Sequence, residues 1–285
     1  MAEISAKTKQ LGIIGYPVEH SFSPKMHNFI ASRQGDDYIY SAWRVNPENV
    51  GAAIAGIRAL GIRGINVTAP HKTAVMAHLD EITDATKKLG SVNTIVNDNG
   101  FLRGYNTDAE GFYRALTSQG IEIKDAKILV LGAGGVVKPT LMRIIWENPA
   151  EITVLNRTKS KAVSLADALK SETGFEIKTE LASLDFDIVI NTTSAGMEPQ
   201  EDTLPIDAID ELDNLDFINE HTAVVDMIYN PDETLFLKEA KKRGAKTMNG
   251  LGMLIYQGLI AYELFTGTTL PSDMAEIVKR EVFGR

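Results

Sequence analysis

Short apolar runs alternate with stretches of helical period along almost the whole chain. That is the pattern of strands joined by crossover helices, and it predicts an α/β fold. Residues 11–15 read as a strand, and a helix starts near Pro24. The stretch 47–60 places Val50, Ile54, Ile57 and Leu60 on one helical face, and 62–67 reads as the strand that follows, completing a βαβ unit. A second series opens with a strand at 127–131. It passes through a helix to a strand at 152–155 and continues with strands at 188–190 and 224–227. Two further apolar-periodic stretches, 253–265 and 271–283, read as closing helices. The second opens on Pro271, where a missing N–H costs nothing.

With 285 residues, 44% of them hydrophobic and 24% charged, the chain has material for two domains of ordinary globular composition. The formal charge of -9 repels a phosphate backbone, and the longest basic run is Lys241-Lys242-Arg243, so no nucleic-acid partner is expected. The absence of cysteine excludes disulfides, thiolate metal sites and cysteine nucleophiles. His20, His27, His71, His78 and His221 show no metal-ligand spacing, so no metal is expected, and His71 is the one that borders the candidate site. The stretch from Met1 to Lys7 is polar, and no apolar run reaches the roughly 18 residues of a membrane span. A cytoplasmic protein with no membrane partner is the expectation.

Leu131-Gly132-Ala133-Gly134-Gly135 follows a predicted strand and opens a helix. In that setting glycines let the backbone approach a pyrophosphate at the positive end of the helix. Val137 stands where the general fingerprint has a third glycine, and Pro139 is tolerable only in the first helical turn. The next strand ends Leu155-Asn156-Arg157-Thr158-Lys159-Ser160-Lys161. An acid at that place would hold the ribose hydroxyls of NAD, whereas Arg157 with Lys159 or Lys161 suits a 2′-phosphate. The cofactor choice therefore tilts to NADP.

Three polar segments in the first hundred or so residues carry candidate chemistry. Ser21 and Ser23, just ahead of Pro24, offer two hydroxyls that suit a carboxylate. Lys72, in Asn66-Val67-Thr68-Ala69-Pro70-His71-Lys72, sits beyond the carboxyl end of a strand, where open α/β sheets place ligands. Asp108, in Gly104-Tyr105-Asn106-Thr107-Asp108, supplies a carboxylate that could pair with that lysine.

These segments, together with Ser91-Val92-Asn93-Thr94, Asn191-Thr192-Thr193-Ser194-Ala195-Gly196-Met197, Asp226-Met227-Ile228-Tyr229-Asn230-Pro231 and Gly250-Leu251-Gly252-Met253-Leu254-Ile255-Tyr256-Gln257, resemble the shikimate dehydrogenase family and run in its order. The resemblance implies two domains. One is an N-terminal α/β substrate-binding domain completed by C-terminal helices (1–108 and 250–285); the other is a Rossmann-like NADP-binding domain (109–249) inserted between its parts. It implies an NADP-dependent reduction of 3-dehydroshikimate to shikimate and back. Ser21 and Ser23 would bind the carboxylate, and Asn66, Thr68, Asn93, Asp108 and Gln257 the ring hydroxyls, with Tyr229 also on the substrate list. Lys72 and Asp108 would be catalytic, and the residues leave open whether the lysine alone or the pair transfers the proton. Gly132, Ala133, Gly134 and Gly135 would cradle the pyrophosphate, with Asn156, Arg157, Thr158 and Lys161 at the 2′-phosphate. Thr193, Met197, Met227 and Gly250 would complete the cofactor site. Where similar sequences show small residues and an arginine after the glycines, this chain has Val136-Val137-Lys138-Pro139. A homodimer is the oligomeric form the resemblance leaves room for.

Three other functions compete. A quinate/shikimate dehydrogenase would share almost every motif, favoured by an acid near Asn156-Arg157 that is absent here. A methylenetetrahydrofolate dehydrogenase and cyclohydrolase would leave the paired serines without a role. A non-catalytic NADP-sensing protein would have no need of Lys72 and Asp108.

Overall fold

A computed structural model describes residues 4–285; Met1, Ala2 and Glu3, which open the polar N-terminal stretch, lie outside the described residues. The chain begins with β1 (Lys9–Gly15), α1 (Ser23–Gln34), β2 (Tyr38–Arg44), α2 (Val50–Ala59) and β3 (Gly64–Val67). There follow β4 (Glu81–Ile82), α3 (Asp84–Leu89), β5 (Thr94–Asp98), β6 (Phe101–Tyr105) and α4 (Asp108–Ser118). A second series comprises β7 (Lys127–Leu131), α5 (Val137–Ile145), β8 (Glu151–Leu155), α6 (Lys159–Thr173), β9 (Ile188–Asn191), β10 (Ala223–Asp226), α7 (Leu235–Lys242) and β11 (Lys246–Met248). The chain closes with α8 (Leu251–Thr266) and α9 (Met274–Phe283). Its packing divides it into two units, Met1–Gly111 with Ile255–Arg285, and Phe112–Leu254.

In the first unit the six-stranded sheet has the order β2-β1-β3-β5-β6-β4. β1 pairs in parallel with β2 and β3, whereas β5 runs antiparallel to both β3 and β6. Alternation along β1 sends Ile14 to one face and Leu11 and Ile13 to the other. On the first face α2 lays Val50, Ile54 and Ile57 over Ile14, Ile65 and Val67. On the second, Ala261 and Phe265 of α8, one helical turn apart, pack with Leu11, Ile13, Tyr40 and Val96.

The second unit has five strands, all parallel, in the order β11-β10-β9-β7-β8. Leu129, Leu131, Val189 and Val224 of its strands pack with Phe236, Leu237 and Ala240 of α7 and with Phe217. β8 and β9 flank β7 on opposite sides, so the strand order reverses there. At such a switch point the loops after two strands diverge and leave room for a ligand.

Several elements differ from the pattern-based expectation. Pro47–Asn49 forms a 3₁₀ turn, and α2 starts only at Val50 and ends at Ala59. Leu60, expected on the apolar face, is 77% exposed because the chain has already left the helix. α9 starts at Met274 rather than Pro271, whose carbonyl accepts from the Met274 N–H in a preceding turn. β2, β5 and β6 were not foreseen. β2 is an edge strand with only Tyr40 fully buried, and β5 and β6 form a short hairpin that breaks the parallel pattern. Among the described residues no helix is long and apolar enough to cross a membrane.

Candidate active site

The antiparallel hairpin brings the candidate substrate residues of the first unit to one end of its sheet. Asn66 stands opposite Thr94, and Thr94 opposite Tyr105. The amino end of β5 therefore meets the carboxyl ends of β3 and β6, beside that of β1. Ser21 and Ser23 follow β1, Thr68 and Lys72 follow β3, Asn93 precedes β5, and Asp108 opens α4 just after β6.

Lys72 Nζ donates to Asp108 Oδ2 at 2.6 Å, with side chains 27% and 20% exposed. Both partners are anchored through the backbone. The Lys72 carbonyl accepts from the Val92 N–H at 2.9 Å. Asn106 Oδ1 accepts from the N–H groups of Asp108 and Ala109, at 3.1 and 3.2 Å, and its Nδ2 donates to the Ser91 carbonyl at 2.8 Å. The carboxylate thus sits in the first turn of α4, where the helix dipole favours negative charge. Shielded from most of the solvent, the pair attracts more strongly than a surface ion pair.

Around it, the buried amides are tied to one another, as buried polar groups require. Asn93 Oδ1 accepts from the Thr107 N–H at 2.7 Å, and its Nδ2 donates to Thr107 Oγ1 at 3.0 Å. Asn66 Nδ2 donates to Thr94 Oγ1 at 3.0 Å. Ser23 is buried and Ser21 half-buried, and Ser21 Oγ accepts from the Ser23 N–H at 3.2 Å. Thr68 and Gln257 are half-buried. Gly111, one turn beyond Asp108, brings Gln257 in: a Cβ there would stand 2.6 Å from the Gln257 nitrogen, so only glycine lets α4 and α8 approach this closely. Sequence reasoning passed over Gly111, though a glycine inside a helical pattern is itself a sign of close packing. His71 is buried, with Nε2 2.8 Å from the Val45 carbonyl, which gives it a structural partner.

In the second unit a cavity of about 650 Å³ lies at the switch point. Gly132, Ala133, Gly134, Asn156, Arg157, Thr158, Lys161 and Thr193 line it. Gly135, Met197, Met227 and Gly250 are not part of its lining; the Gly250 N–H donates to the Ile228 carbonyl at 2.9 Å. Gly132 has φ +111°, and a Cβ there would lie 2.4 Å from Thr192 Oγ1, so the turn out of β7 demands glycine. Around Gly134 and Gly135 no atom stands within 4 Å of where a Cβ would be, which leaves their backbone open to a ligand. α5 begins at Val137 with Pro139 in its first turn, so Val136-Val137-Lys138-Pro139 is accommodated. Asn156 links the glycine loop to the segment after β8. Its Oδ1 accepts from the Ala133 N–H at 3.1 Å, and its Nδ2 donates to the Thr158 carbonyl at 2.9 Å. An open glycine loop at a helix start, beside the exposed Arg157 and the Lys161 of the lining, fits a phosphorylated dinucleotide. Lys159, in contrast, is held by Glu211 at 2.7 Å. The far wall, with Thr203, Leu204, Asp207 and Ile209, went unrecognised because it belongs to no regular element.

Asp226, fully buried at the end of β10, joins the loops around this cavity. Its Oδ1 accepts from Asn191 Nδ2 and from the Ile228 N–H, each at 3.0 Å, and its Oδ2 accepts from Thr234 Oγ1 at 2.7 Å. Asn191 Oδ1 in turn accepts from the backbone and hydroxyl of Thr193. Burial pushes the Asp226 carboxyl up to about 6, its three hydrogen bonds opposing the shift. Burial also raises the half-buried Tyr229 phenol above its ordinary value. Among the described residues there is no group of three or more His, Cys, Asp or Glu side chains that could hold a metal ion.

A parallel sheet with an open glycine loop and a basic strand end, in one chain with an α/β unit carrying a lysine–aspartate pair, is the build of a two-domain nucleotide-dependent dehydrogenase. Family models agree. Residues 13–95 match the shikimate dehydrogenase substrate binding domain, 115–201 match shikimate / quinate 5-dehydrogenase, and 250–282 match the shikimate 5'-dehydrogenase C-terminal domain. The chain is 45% identical over 271 residues to a shikimate dehydrogenase (NADP(+)) of Methanocaldococcus jannaschii, covering 93% of each chain. It is 41% identical over 278 residues to one of Caldanaerobacter subterraneus subsp. tengcongensis, covering 95% of this chain and 96% of the relative. A crystal structure of a shikimate dehydrogenase in complex with NADP+ superposes with a TM-score of 0.89 at 42% identity, covering 99% of this chain and 97% of that one. The chain belongs to the shikimate dehydrogenase family.

The buried Asp226 generates a stability prediction. Its folded-state value of about 6 lies above the ordinary 3.8, so its contribution to stability is full below about 3.8 and is lost as pH rises through about 6. Asp226→Asn does not titrate. Relative to the parent, its unfolding free energy should improve by about 1 kcal/mol between pH 5 and pH 7.5, on top of a constant offset from the altered hydrogen bonds. Denaturant titrations of both proteins at the two pH values check this; a difference that does not change with pH contradicts it.

Proposed function

We infer that this chain is an NADP-dependent oxidoreductase acting on a CH–OH group, interconverting shikimate and 3-dehydroshikimate. The observation that carries the reading is the ion pair of Lys72 with Asp108 at 2.6 Å, at the sheet end where the serines, threonine and asparagines of the family motifs gather. Bound NADP supplies the hydride acceptor or, in the reverse direction, the hydride donor at its nicotinamide ring.

The chain's own work is to hold the two molecules and move one proton. Ser21 and Ser23 take the carboxylate of the substrate, and Asn66, Thr68, Asn93, Gln257 and Tyr229 surround the ring. During reduction the Lys72 ammonium gives a proton to the ketone oxygen as negative charge develops there; during oxidation Lys72 takes it back from the hydroxyl. Asp108 accepts from Lys72, keeps the ammonium aimed and binds a ring hydroxyl with its remaining lone pairs. The Gly132–Gly135 loop receives the pyrophosphate. Asn156, Arg157, Thr158 and Lys161 receive the 2′-phosphate, and Thr193, Met197, Met227 and Gly250 serve the rest of the cofactor. Lys159 is left out, being paired with Glu211.

Two outcomes follow. Lys72→Ala should lower turnover by about 10²–10⁴, the worth of a general acid–base group, with a much smaller change in shikimate binding. Near-normal turnover in that variant removes Lys72 from the mechanism. Arg157 gives charge-assisted hydrogen bonds of about 1.5–3 kcal/mol each at a solvent-exposed and therefore screened site, so NADP should be preferred over NAD by roughly tenfold to several hundredfold. Arg157→Ala should lose much of that preference by weakening NADP while NAD affinity stays nearly constant. Steady-state kinetics of parent and variant with both cofactors decide it: a parent using both equally, or a variant with its preference intact, sinks the assignment.

A further inference from the structure

Tyr40 of β2 lies outside every motif of the functional reading, yet two side chains of α1 and one of β3 converge on it. Its backbone is clamped by Asn28, whose Nδ2 donates to the Tyr40 carbonyl and whose Oδ1 accepts from the Tyr40 N–H, both at 2.9 Å. Its ring lies flat on His27, with centroids 4.2 Å apart and planes 6° from parallel. His27 is buried with neither ring nitrogen hydrogen-bonded, and burial depresses it to about 3, so it stays a neutral slab. Fixed at backbone and ring, the phenol has one place to go. Its hydroxyl donates to Asn66 Oδ1 at 2.7 Å. Burial holds the phenol well above its ordinary value, which keeps that donor protonated.

We propose that Tyr40 is a positioning residue of the substrate pocket, fixing the orientation of the Asn66 amide through its own hydroxyl. The role rests on assigning Ser21, Ser23 and Asn66 to the substrate. An asparagine amide turns over unless its oxygen and nitrogen have distinct partners. Tyr40 supplies the donor for the Asn66 oxygen, while Thr94 takes the Asn66 nitrogen. The amide of β3 is thus set by a group anchored on β2. Tyr40 touches neither Lys72 nor the cofactor loop, so its influence falls on substrate affinity rather than on the proton step.

Tyr40→Phe keeps the ring on His27 and the backbone on Asn28 and removes only the hydroxyl. The Michaelis constant for shikimate should rise about three- to thirtyfold, the effect of one or two misplaced hydrogen-bonding groups, with turnover within about threefold and the NADP constant within about twofold of the parent. Ser21→Ala is measured alongside. If Ser21→Ala raises the shikimate constant and Tyr40→Phe leaves it unchanged, the role of Tyr40 is overturned and the substrate assignment stands. If Ser21→Ala also leaves it unchanged, the substrate assignment falls and takes the role of Tyr40 with it. Equal losses toward shikimate and NADP in Tyr40→Phe mark general damage and also overturn the proposal. Should Tyr40→Phe not fold, Tyr40→His, whose shorter ring keeps a flat face toward His27 and falls short of Asn66, is measured in its place. A selective rise in the shikimate constant supports the role of Tyr40, and an unchanged constant overturns it.

Discussion

The ion pair between Lys72 and Asp108 joins segments 36 residues apart, and the arrangement of the first unit serves to make it short. A lysine in the turn after β3 and an aspartate at the start of α4 meet only because β5 and β6 reverse direction and return the chain to the end of the sheet it left. A purely parallel continuation would need a long crossover and would not place the start of α4 beside β3 in so few residues. Removing either partner leaves a partly buried charge alone, a costly state that ties the stability of this corner to the pair.

The second unit solves a different problem with neutral groups. A pyrophosphate taken by backbone N–H groups needs loops that keep their shape before any ligand arrives. Asn156 fixes the glycine loop against the basic strand end, and Asp226 with Asn191 fixes the loops after β9 and β10. An asparagine serves well as such a bridge because it donates and accepts at once without a charge to desolvate. Asp226 is the exception, a buried carboxyl surrounded by donors, and its raised proton affinity records the cost of that burial.

What could be read along the chain was the regular part. The strand at β7, the apolar face of α2 and the glycine turn into α5 follow from local pattern, and Lys72 stands out as a polar group placed just past a strand, whereas Asn66, Asn93, Tyr229 and Gln257 come forward only through the family resemblance. What could not be read depends on partners distant in sequence. The hairpin of β5 and β6 is signalled locally by its Asn99-Gly100 turn, both residues at positive φ, but its place beside β3, with Asn66 opposite Thr94, is not. Lys159 and Lys161 are equivalent on paper, and only the fold gives one to Glu211 and the other to the cavity. Tyr40 reads as an ordinary strand aromatic; its partners Asn28 and Asn66 come from two separate elements, α1 and β3. The wall from Thr203 to Ile209 has no periodicity to find.

The central claim is that Lys72 and Asp108 act as one unit in the proton step, and a double-mutant cycle on turnover tests it most directly. Lys72→Met, Asp108→Asn and the double variant are compared with the parent at saturating shikimate and NADP, with reduced cofactor followed by absorbance. If the two side chains are one device, the double variant loses no more than the worse single variant, because the second substitution removes a group already without a task. If the two losses multiply, lysine and aspartate contribute independently and the account of the site as a coupled pair is wrong.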